Sequence, residues 1–335
     1  MDKNTILKVG TLILCLLIGI GMVLFLLNLK QEDEATEEMA AAKAQELNAS
    51  ADASRVITYK GKKYKQNPDI KNYLFIGVDE REDDFVDENL SPGDAGQADC
   101  LILFSINTKT NKANILQINR NTMTELDIYS ELGEVAETMN GQICLQYAYS
   151  KGGKRSCNAT RKTVEELLFG TDIDYYLTMS LPSIAGINDA LGGVDVTMEQ
   201  DYTWINEAFE EGETVHLEGQ LATQFVQARD TEEFNSVQDR MERQNSYVVA
   251  MISSLKEKED SSIYSMLNSY LGRGIVTNLS ANEMDELRNY DYNTDEIYSL
   301  PGEMIQGDKF EEYVVDNDEL EELVIDLFYE EESES

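Results

Sequence analysis

Two apolar runs, each with an aspartate at one end, dominate the pattern of hydrophobic and polar positions. Tyr73–Val78 is followed by Asp79, and Asp99 directly precedes Cys100–Ile106. Short apolar runs bounded by Gly, Asp and Asn are typical of buried strands. If the two strands are antiparallel neighbours, the end of one lies beside the start of the other, and the two aspartates converge. The simpler alternative is that both aspartates only cap turns at the strand ends.

A third apolar run, Ala113–Ile118, follows a polar turn and predicts a hairpin with the second run. Arg120 comes just after this run. Antiparallel pairing would therefore bring its guanidinium to the same sheet edge as Asp99. Two carboxylates beside an arginine form a site for a divalent cation and a phosphate group.

The rest of the chain alternates between strand-like and helix-like spacing. Further strands or extended segments are predicted at Arg55–Lys65, Tyr175–Ser180, Val194–Met198 and Glu296–Leu300. Helices are predicted at Gly141–Tyr149, Asn158–Phe169, Leu181–Leu191, Gln220–Ala228, Met241–Leu255, Ser262–Leu271, Ala281–Asn289 and Asp318–Phe328. Interleaved strands and helices without internal repeats indicate a single α/β domain.

Three connecting segments complete this picture. The order strand, helix, Gly192-Gly193, strand resembles a crossover unit. Val215–Gly219 is predicted to be a turn and Pro301–Gly307 a loop.

The amino-terminal region predicts a membrane anchor. Val9–Leu27 carries no charge and, at about 1.5 Å per residue, is long enough to cross a bilayer core. Lys3 and Lys8 precede it, which favours a cytoplasmic amino terminus. A weak cleavage-like site near Ala40–Ala42 leaves a cleaved signal peptide as the alternative. The predicted segments are cytoplasmic residues 1–8, an uncleaved single-pass anchor at 9–29, an acidic stalk at 30–54, an extracellular domain at 55–330 and an acidic tail at 331–335.

Charge and composition exclude several classes of function. The chain has 64 acidic and 27 basic residues, a net charge of −37. Such a surface repels nucleic acid, because phosphate binding there depends on clustered Lys and Arg. The single histidine, His216, excludes most His-based catalysis and multi-His metal sites. An anionic substrate would need a local basic site or a metal ion.

Cysteines are few in this chain. Cys15 lies in the predicted anchor and Cys100 in a predicted buried strand. Cys144 and Cys157 lie in the predicted extracellular domain, with Gly152-Gly153 between them. A disulfide between them is possible there and would clamp the intervening loop.

Five segments, in order, resemble the LytR–CpsA–Psr family of envelope proteins. The resemblance covers roughly residues 73–255, and the predicted anchor and stalk agree with it. INDALGGVDV at Ile187–Val196 is the most specific of the five. The segments are LFIGVDER, ADCLILFSINTKTNKANILQINRN, YAYSKGG, INDALGGVDV, and LEGQLATQFVQAR joined to DRMERQ.

The resemblance implies a fold and a reaction. The fold would be an α/β/α sandwich with a central mixed sheet, enclosing an apolar tunnel for a polyprenyl chain. The lipid phosphate would lie at the tunnel mouth beside arginines and Mg²⁺. The reaction would move a glycopolymer from its polyprenyl-(pyro)phosphate carrier to peptidoglycan. This is phosphoryl transfer, in which positioning and charge neutralisation supply most of the catalysis.

The resemblance also assigns roles to individual residues. Asp79 and Asp99 match the metal-linked aspartates, and Asp99 is also a candidate catalytic residue with Arg120 and Arg229. The residues implied to bind the lipid phosphate are Arg120, Arg229, Arg240, Arg243, Gln97 and Gln227. For Arg240 and Arg243 a solvated salt bridge on a helix is an equal alternative.

Several positions depart from the family pattern. Gln97 and Gln227 stand where the family has arginines, and Val237 stands where it has an aspartate, unless Asn235 or Asp239 substitutes. Asn119 and Asn121 replace the Pro and Asp that flank the family's arginine.

Glutamine donates hydrogen bonds to phosphate but neutralises no charge. Losing two charge-assisted bonds would weaken phosphate binding by about 10²–10⁴-fold. The sequence therefore leaves three functions open: a Mg²⁺-dependent glycopolymer phosphotransferase, a lipid-phosphate or glycopolymer binder that has lost turnover, and an envelope regulatory protein.

Overall fold

The structure, a computed structural model, describes residues 56–79, 85, 87, 90–230, 232–258 and 262–332. The predicted anchor and stalk lie outside these residues. Within the described part of the chain, no helix is both long and apolar enough to cross a bilayer. Apart from Val56, the described residues belong to one compact unit that begins at Ile57.

The strands, in chain order, are β1 (Val56–Tyr59), β2 (Lys62–Gln66), β3 (Ile70–Val78), β4 (Ala98–Asn107), β5 (Lys112–Ile118), β6 (Met123–Tyr129), β7 (Val135–Gln142), β8 (Tyr175–Ser180), β9 (Val194–Thr197), β10 (Thr214–Leu217), β11 (Ile275–Thr277), β12 (Asp291–Ser299), β13 (Gly302–Gln306), β14 (Glu311–Val315) and β15 (Tyr329–Glu331). The helices are α1 (Leu145–Ala148), α2 (Gly153–Leu167), α3 (Ile184–Ala190), α4 (Gln220–Gln227), α5 (Ser236–Glu257), α6 (Ile263–Leu267), α7 (Ala281–Glu286) and α8 (Asn317–Phe328). Short 3₁₀ turns occupy Leu181–Ser183 and Leu287–Asn289.

A six-stranded mixed sheet in the order β11-β8-β3-β4-β5-β12 forms the centre of the fold. The strands β3, β4 and β5 pair antiparallel, as the sequence predicts, while β8 runs parallel to β3 and β12 parallel to β5. Alternate side chains of each strand point to opposite faces. The central mixed α/β sheet of the predicted fold is therefore present.

Helices cover both faces of this sheet. On one face, Leu74 and Leu103 belong to a buried cluster that includes Val164 of α2 and Val324 of α8. On the other face, helix α5 runs across β3 and β4 and leaves an apolar cavity between helix and sheet. Because α5 has 22 residues, the helix is roughly 33 Å long at 1.5 Å per residue, and residues between Arg240 and Lys256 on it line the cavity.

The predicted crossover unit is wrong. Strand β9 does not join the central sheet but pairs antiparallel with β10, His216 opposite Asp195. The predicted turn Val215–Gly219 accordingly contains most of a strand. A short apolar run is compatible with a strand of a crossover unit and with a strand of a local hairpin. The run alone therefore does not identify the pairing partner of β9.

Three other local predictions need correction. Pro301–Gly307 contains β13, which pairs with β14 in a separate two-stranded sheet. Gly141–Tyr149 is only partly helical, because its first residues end β7. Arg55–Lys65 contributes two strands, β1 and β2, to a small sheet completed by β15, which takes in Glu331 of the predicted tail. These strands alternate weakly or are mostly polar, and their pairing stabilises them more than their own sequence does.

Candidate active site

The ends of β3 and β4 bring Asp79 and Asp99 to one sheet edge. The backbone N–H of Asp79 donates to the carbonyl of Gln97 at 3.2 Å, and the Gln97 N–H donates to Asp79 Oδ1 at 2.5 Å. Val78 pairs with Ala98, the residue before Asp99. The prediction that the two aspartates converge is confirmed.

Two arginines from different elements hold the Asp99 carboxylate. Arg120 follows β5, and its Nη1 lies 3.0 Å from Asp99 Oδ1. Arg240, on the first turns of α5, donates from Nη1 to Asp99 Oδ2 at 3.0 Å. The predicted approach of Arg120 to Asp99 follows from the β4–β5 register and is confirmed. Arg240 is not a solvated helix charge, because its side chain is only 7% exposed.

This cluster has more buried donors than acceptors. Among the described residues, no acceptor bonds to Arg120 Nε, Arg240 Nε or Arg240 Nη2, and all three atoms are buried. Asp99 Oδ1 likewise has no hydrogen bond, since its ion pair with Arg120 lacks hydrogen-bond geometry. A buried polar group without a partner costs roughly 1–3 kcal/mol. The unpaired guanidinium nitrogens therefore favour an anionic ligand whose oxygens accept from them.

Gln97 and Cys144 complete the surroundings of Arg120. Its Nη2 donates to Gln97 Oε1 and lies 3.1 Å from Cys144 Sγ. Burial raises the pKa of the Cys144 thiol, although Arg120 opposes this effect. The disulfide that the sequence leaves open is not formed: Cys144 and Cys157 are both thiols. Cys144 faces the arginine at the sheet edge, whereas Cys157 lies on α2 in the main core.

Arg229 lies close to the cluster but already has partners. Its Nε donates to Ser236 Oγ at 3.0 Å, and its Nη2 donates to Glu311 Oε2 at 3.2 Å. Burial lowers the pKa of Arg229, and the charge of Arg240 lowers it further. Glu311 is a site residue that sequence reasoning missed. No local signal could reveal it, because it lies 82 positions from Arg229 on a different hairpin.

Arg243 is not brought to the same position as Arg240. Its Nε donates to the carbonyl of Phe225 at 3.0 Å, and its Nη2 donates to the carbonyl of Ala228. Both carbonyls belong to the carboxyl end of α4. Arg243 thus fastens α5 to α4, in place of the predicted contact with a phosphate beside Asp99.

An apolar tunnel begins at this cluster. Asp79, Asp99, Arg240 and Gln227 line its mouth, and its volume is about 240 Å³. Gln244, in the DRMERQ motif but not among the predicted site residues, also lines it; its Oε1 is buried and lacks a hydrogen bond among the described residues. The apolar wall includes Phe75, Cys100, Phe104, Leu177, Met179, Ile184, Ile187, Leu191, Tyr247, Val248, Met251, Ile252, Leu255, Ile263, Leu267, Leu279, Met284, Leu287 and Tyr292.

The two aspartates would supply some of the ligands of a magnesium ion, but not all of them. Burial raises the pKa of Asp79, and the nearby carboxylate of Asp99 raises it further, against the hydrogen bond from Gln97. A divalent cation would relieve this repulsion. Within the described residues, no group of three or more His, Cys, Asp or Glu side chains could hold a metal. Magnesium does not need a group of three such side chains, because it commonly takes one or two carboxylates, with water and substrate phosphates as its other ligands.

Comparison with known proteins agrees with the geometry. A model of the LytR_cpsA_psr family matches residues 24–327. The chain belongs to this family. The match extends well beyond the residues that carry the resemblance in the sequence, and it includes the β13–β14 hairpin that supplies Glu311.

Two relatives of this chain are named as transferases. TagU of Bacillus mycoides (strain KBAB4), a polyisoprenyl-teichoic acid–peptidoglycan teichoic acid transferase, is 29% identical over 234 residues, which cover 69% of this chain and 68% of that protein. TagU of Bacillus cereus (strain AH820) is 28% identical over 218 residues, 65% of this chain and 63% of that protein. The match therefore spans about two thirds of each relative's length.

Solved structures share the fold. B. subtilis TagV has a TM-score of 0.57 and 21% identity, covering 78% of this chain and 96% of that one. TagT bound to LIIa-WTA has a TM-score of 0.57 and 20% identity, covering 78% of this chain and 90% of that one. These likenesses establish the mixed α/β fold of the family for this chain.

Proposed function

We propose that this protein transfers a glycopolymer from a polyprenyl-(pyro)phosphate carrier to peptidoglycan. The observation that carries the proposal is a set of guanidinium nitrogens without a hydrogen-bond partner among the described residues. They belong to Arg240, which lines the mouth of an apolar tunnel, and to Arg120, which pairs with Asp99 at that mouth. The ligand that fits both parts has an anionic head and a long hydrocarbon tail. The names of the TagU relatives support this choice among amphipathic ligands.

The proposed reaction is a displacement at phosphorus. An acceptor hydroxyl oxygen of peptidoglycan bonds to the phosphorus that carries the polymer, and the bond from that phosphorus to the lipid phosphate oxygen breaks. Polyprenyl monophosphate leaves, and the hydroxyl proton passes to solvent at the open mouth. Arg120 and Arg240 stabilise the charge on the phosphoryl oxygens, and Arg229 assists when it exchanges Glu311 for phosphate.

Asp99 has a positioning role in this scheme. It holds both guanidiniums at 3.0 Å, which keeps their remaining N–H groups directed at the ligand. Asp79 and Asp99 would also hold Mg²⁺, whose bound form neutralises diphosphate charge. Because Gln97 and Gln227 stand in place of arginines, Mg²⁺ would supply a larger share of the positive charge that neutralises the diphosphate.

The proposal includes a location. Residues 9–29 would anchor the protein in the cell membrane with the amino terminus in the cytoplasm. The domain would then lie outside the cell, where peptidoglycan is available, and the tunnel would receive a lipid carrier from the same membrane.

The two glutamines favour a second candidate function. A site with fewer positive charges binds lipid phosphate and stabilises the transition state less, so a binder without turnover is the alternative. This alternative would use the same tunnel and the same mouth, and only turnover distinguishes the two.

The test is a transfer assay with the full-length protein in nanodiscs. A polyprenyl-diphosphate-linked glycopolymer, peptidoglycan and Mg²⁺ are supplied, and the release of polyprenyl monophosphate is measured. Release that disappears in Asp99→Ala is the expected result. Retention of the donor without release would identify the protein as a binder. The absence of both retention and release would exclude both functions.

A further inference from the structure

A second, polar pocket adjoins the candidate active site. It has a volume of about 130 Å³, and Arg229 lines it. Burial lowers the pKa of Arg229, and the residue lies close enough to the candidate active site that the charges of Arg240 and Arg120 lower its pKa further. The pocket is lined by Trp204, Arg229, Asp230, Glu233, Ser236, Asp239 and Arg243.

Trp204 is an exposed aromatic side chain on a loop that is well fixed. Its side chain is 55% exposed, and it lies in the segment between β9 and β10. The Tyr202 N–H donates to the carbonyl of Phe209 at 2.9 Å, and both of these rings pack edge-on against Phe225. The tryptophan is therefore presented to solvent by a rigid support, which lowers the entropic cost of binding a ligand there.

Arg243 forms the floor of the pocket and has an unused donor. The residue is 1% exposed, and its guanidinium lies 5.1 Å from the ring centre of Tyr202 and 5.7 Å from that of Trp204. Within the described residues, its buried Nη1 has no hydrogen-bond partner. A buried cationic donor without an acceptor is costly, which favours a ligand that brings an oxygen to it.

The charges of the pocket exclude two kinds of ligand. Asp230, Glu233 and Asp239 supply three carboxylates against the two guanidiniums of Arg229 and Arg243, so the pocket has a net negative charge. A phosphate would face these carboxylates, and a hydrocarbon would leave them without polar partners. A sugar ring meets neither difficulty. Its hydroxyl groups donate to carboxylates and accept from a guanidinium, and its apolar face stacks on an aromatic ring.

We propose that this pocket binds one pyranose ring of a saccharide substrate, with Trp204 as the stacking surface and Glu233, Asp239 and Arg243 as its polar partners. The inference rests on the proposed function, which supplies two sources of sugar: the glycopolymer of the donor and the glycan of the peptidoglycan acceptor. Either source places a sugar directly beside the phosphate that reacts.

The sequence offers a direct probe of this proposal. Trp204 is the only tryptophan of the protein, so fluorescence excited at wavelengths that tyrosine does not absorb reports on this pocket alone. We expect a soluble N-acetylglucosamine tetramer to change this fluorescence in a saturable manner for the full-length protein in detergent micelles, which contain no other tryptophan. Glu233→Gln and Asp239→Asn should each weaken this binding at least fivefold. Glu232→Gln, the neighbouring exposed glutamate outside the pocket, is the matched control and should not.

A fluorescence change that is absent, or that inorganic phosphate reproduces, would overturn the proposal. The titration needs no turnover, so a saturable sugar response without transfer activity would leave the pocket standing and contradict only the proposed function.

Kinetics identify the source of the sugar. Trp204→Ala should raise KM at least tenfold, with kcat changed less than twofold, for one substrate. A rise for the peptidoglycan acceptor identifies the acceptor glycan, and a rise for the lipid-linked donor identifies the glycopolymer. Unchanged KM values for both substrates in an active variant would contradict the proposal.

Discussion

The mouth and the interior of the tunnel have opposite chemistry. At the mouth, Asp99 is held between Arg120 and Arg240, and buried guanidinium donors lack partners among the residues that the structure describes. A few residues further along α5, Val248 and Met251 line a wall that is almost entirely apolar. The mouth selects a ligand by its charge and by the directions of its hydrogen bonds. In the interior, ligand binding gains free energy in proportion to the apolar area covered, at about 25 cal/mol per Å². Damage to the mouth should therefore impair turnover, and damage to the interior should impair lipid affinity.

The largest effect is expected from Asp99→Asn. It leaves two guanidiniums without their shared carboxylate and removes a proposed magnesium ligand. We expect kcat to fall by about 10²–10³-fold, as when one preorganised electrostatic group is lost from an active site. The transfer assay measures this change.

The matched control is Asp69→Asn. Asp69 pairs with Lys109 at 2.6 Å, beside the opposite ends of β3 and β4. This variant should keep full activity. Equal losses in the two variants would show that Asp99 matters only for folding.

A smaller effect is expected from filling the tunnel. Val248→Phe adds a bulky ring to the wall, at a cost of about 1–3 kcal/mol for a chain that must pass it. The dissociation constant for a long-chain polyprenyl monophosphate should rise about 5- to 150-fold. A short-chain isoprenyl phosphate that ends before this point should bind as before.

Val249→Phe makes the same change on the next residue of α5, which does not line the tunnel. It should leave both affinities unchanged. If it weakens long-chain binding as much as Val248→Phe does, the hydrocarbon does not follow this wall.

A gain is expected from Gln227→Arg. This change places a charge at the tunnel mouth, at a position where the sequence resemblance implies an arginine. One charge-assisted hydrogen bond, worth roughly 1.5–3 kcal/mol, should lower KM for the diphosphate donor by about 10-fold or more. Gln220→Arg, at the exposed start of α4, adds the same charge away from the mouth and should have little effect. An unchanged KM in Gln227→Arg would argue that no phosphate binds near this position.

The smallest effect is expected from Glu311→Gln. The carboxylate of Glu311 competes with phosphate for Arg229, and a neutral amide still accepts from the Asn235 N–H, which donates to Glu311 Oε1 at 2.7 Å. Partly exposed ion pairs contribute about 0.2–1 kcal/mol, so KM for the donor should fall by no more than about fivefold. Glu312→Gln is the control, and a rise in KM for Glu311→Gln would show instead that Glu311 positions Arg229.

The sequence predicts the part of the site that depends on strand register. Continuous apolar runs identify β3, β4 and β5, and antiparallel pairing then places Asp79, Asp99 and Arg120 at one edge. This inference needs only the period of the pattern and the direction of neighbouring strands.

The rest of the site depends on contacts between distant segments. Arg240 and Arg243 lie three residues apart on one helix, yet one reaches Asp99 and the other the end of α4. Glu311 reaches Arg229 through a hairpin that the sequence indicates only as a loop. Local spacing contains no information about such partners, and neither does the run that forms β9, which pairs outside the central sheet.

The most direct test is a crystal structure of the protein with a long-chain polyprenyl monophosphate and Mg²⁺. The account predicts phosphate oxygens at about 2.7–3.2 Å from Arg120 Nε and Arg240 Nη2, two buried donors without a partner in the described part of the chain, with the hydrocarbon along α5 past Val248. A phosphate bound away from both arginines, or a hydrocarbon chain outside the tunnel, would contradict it.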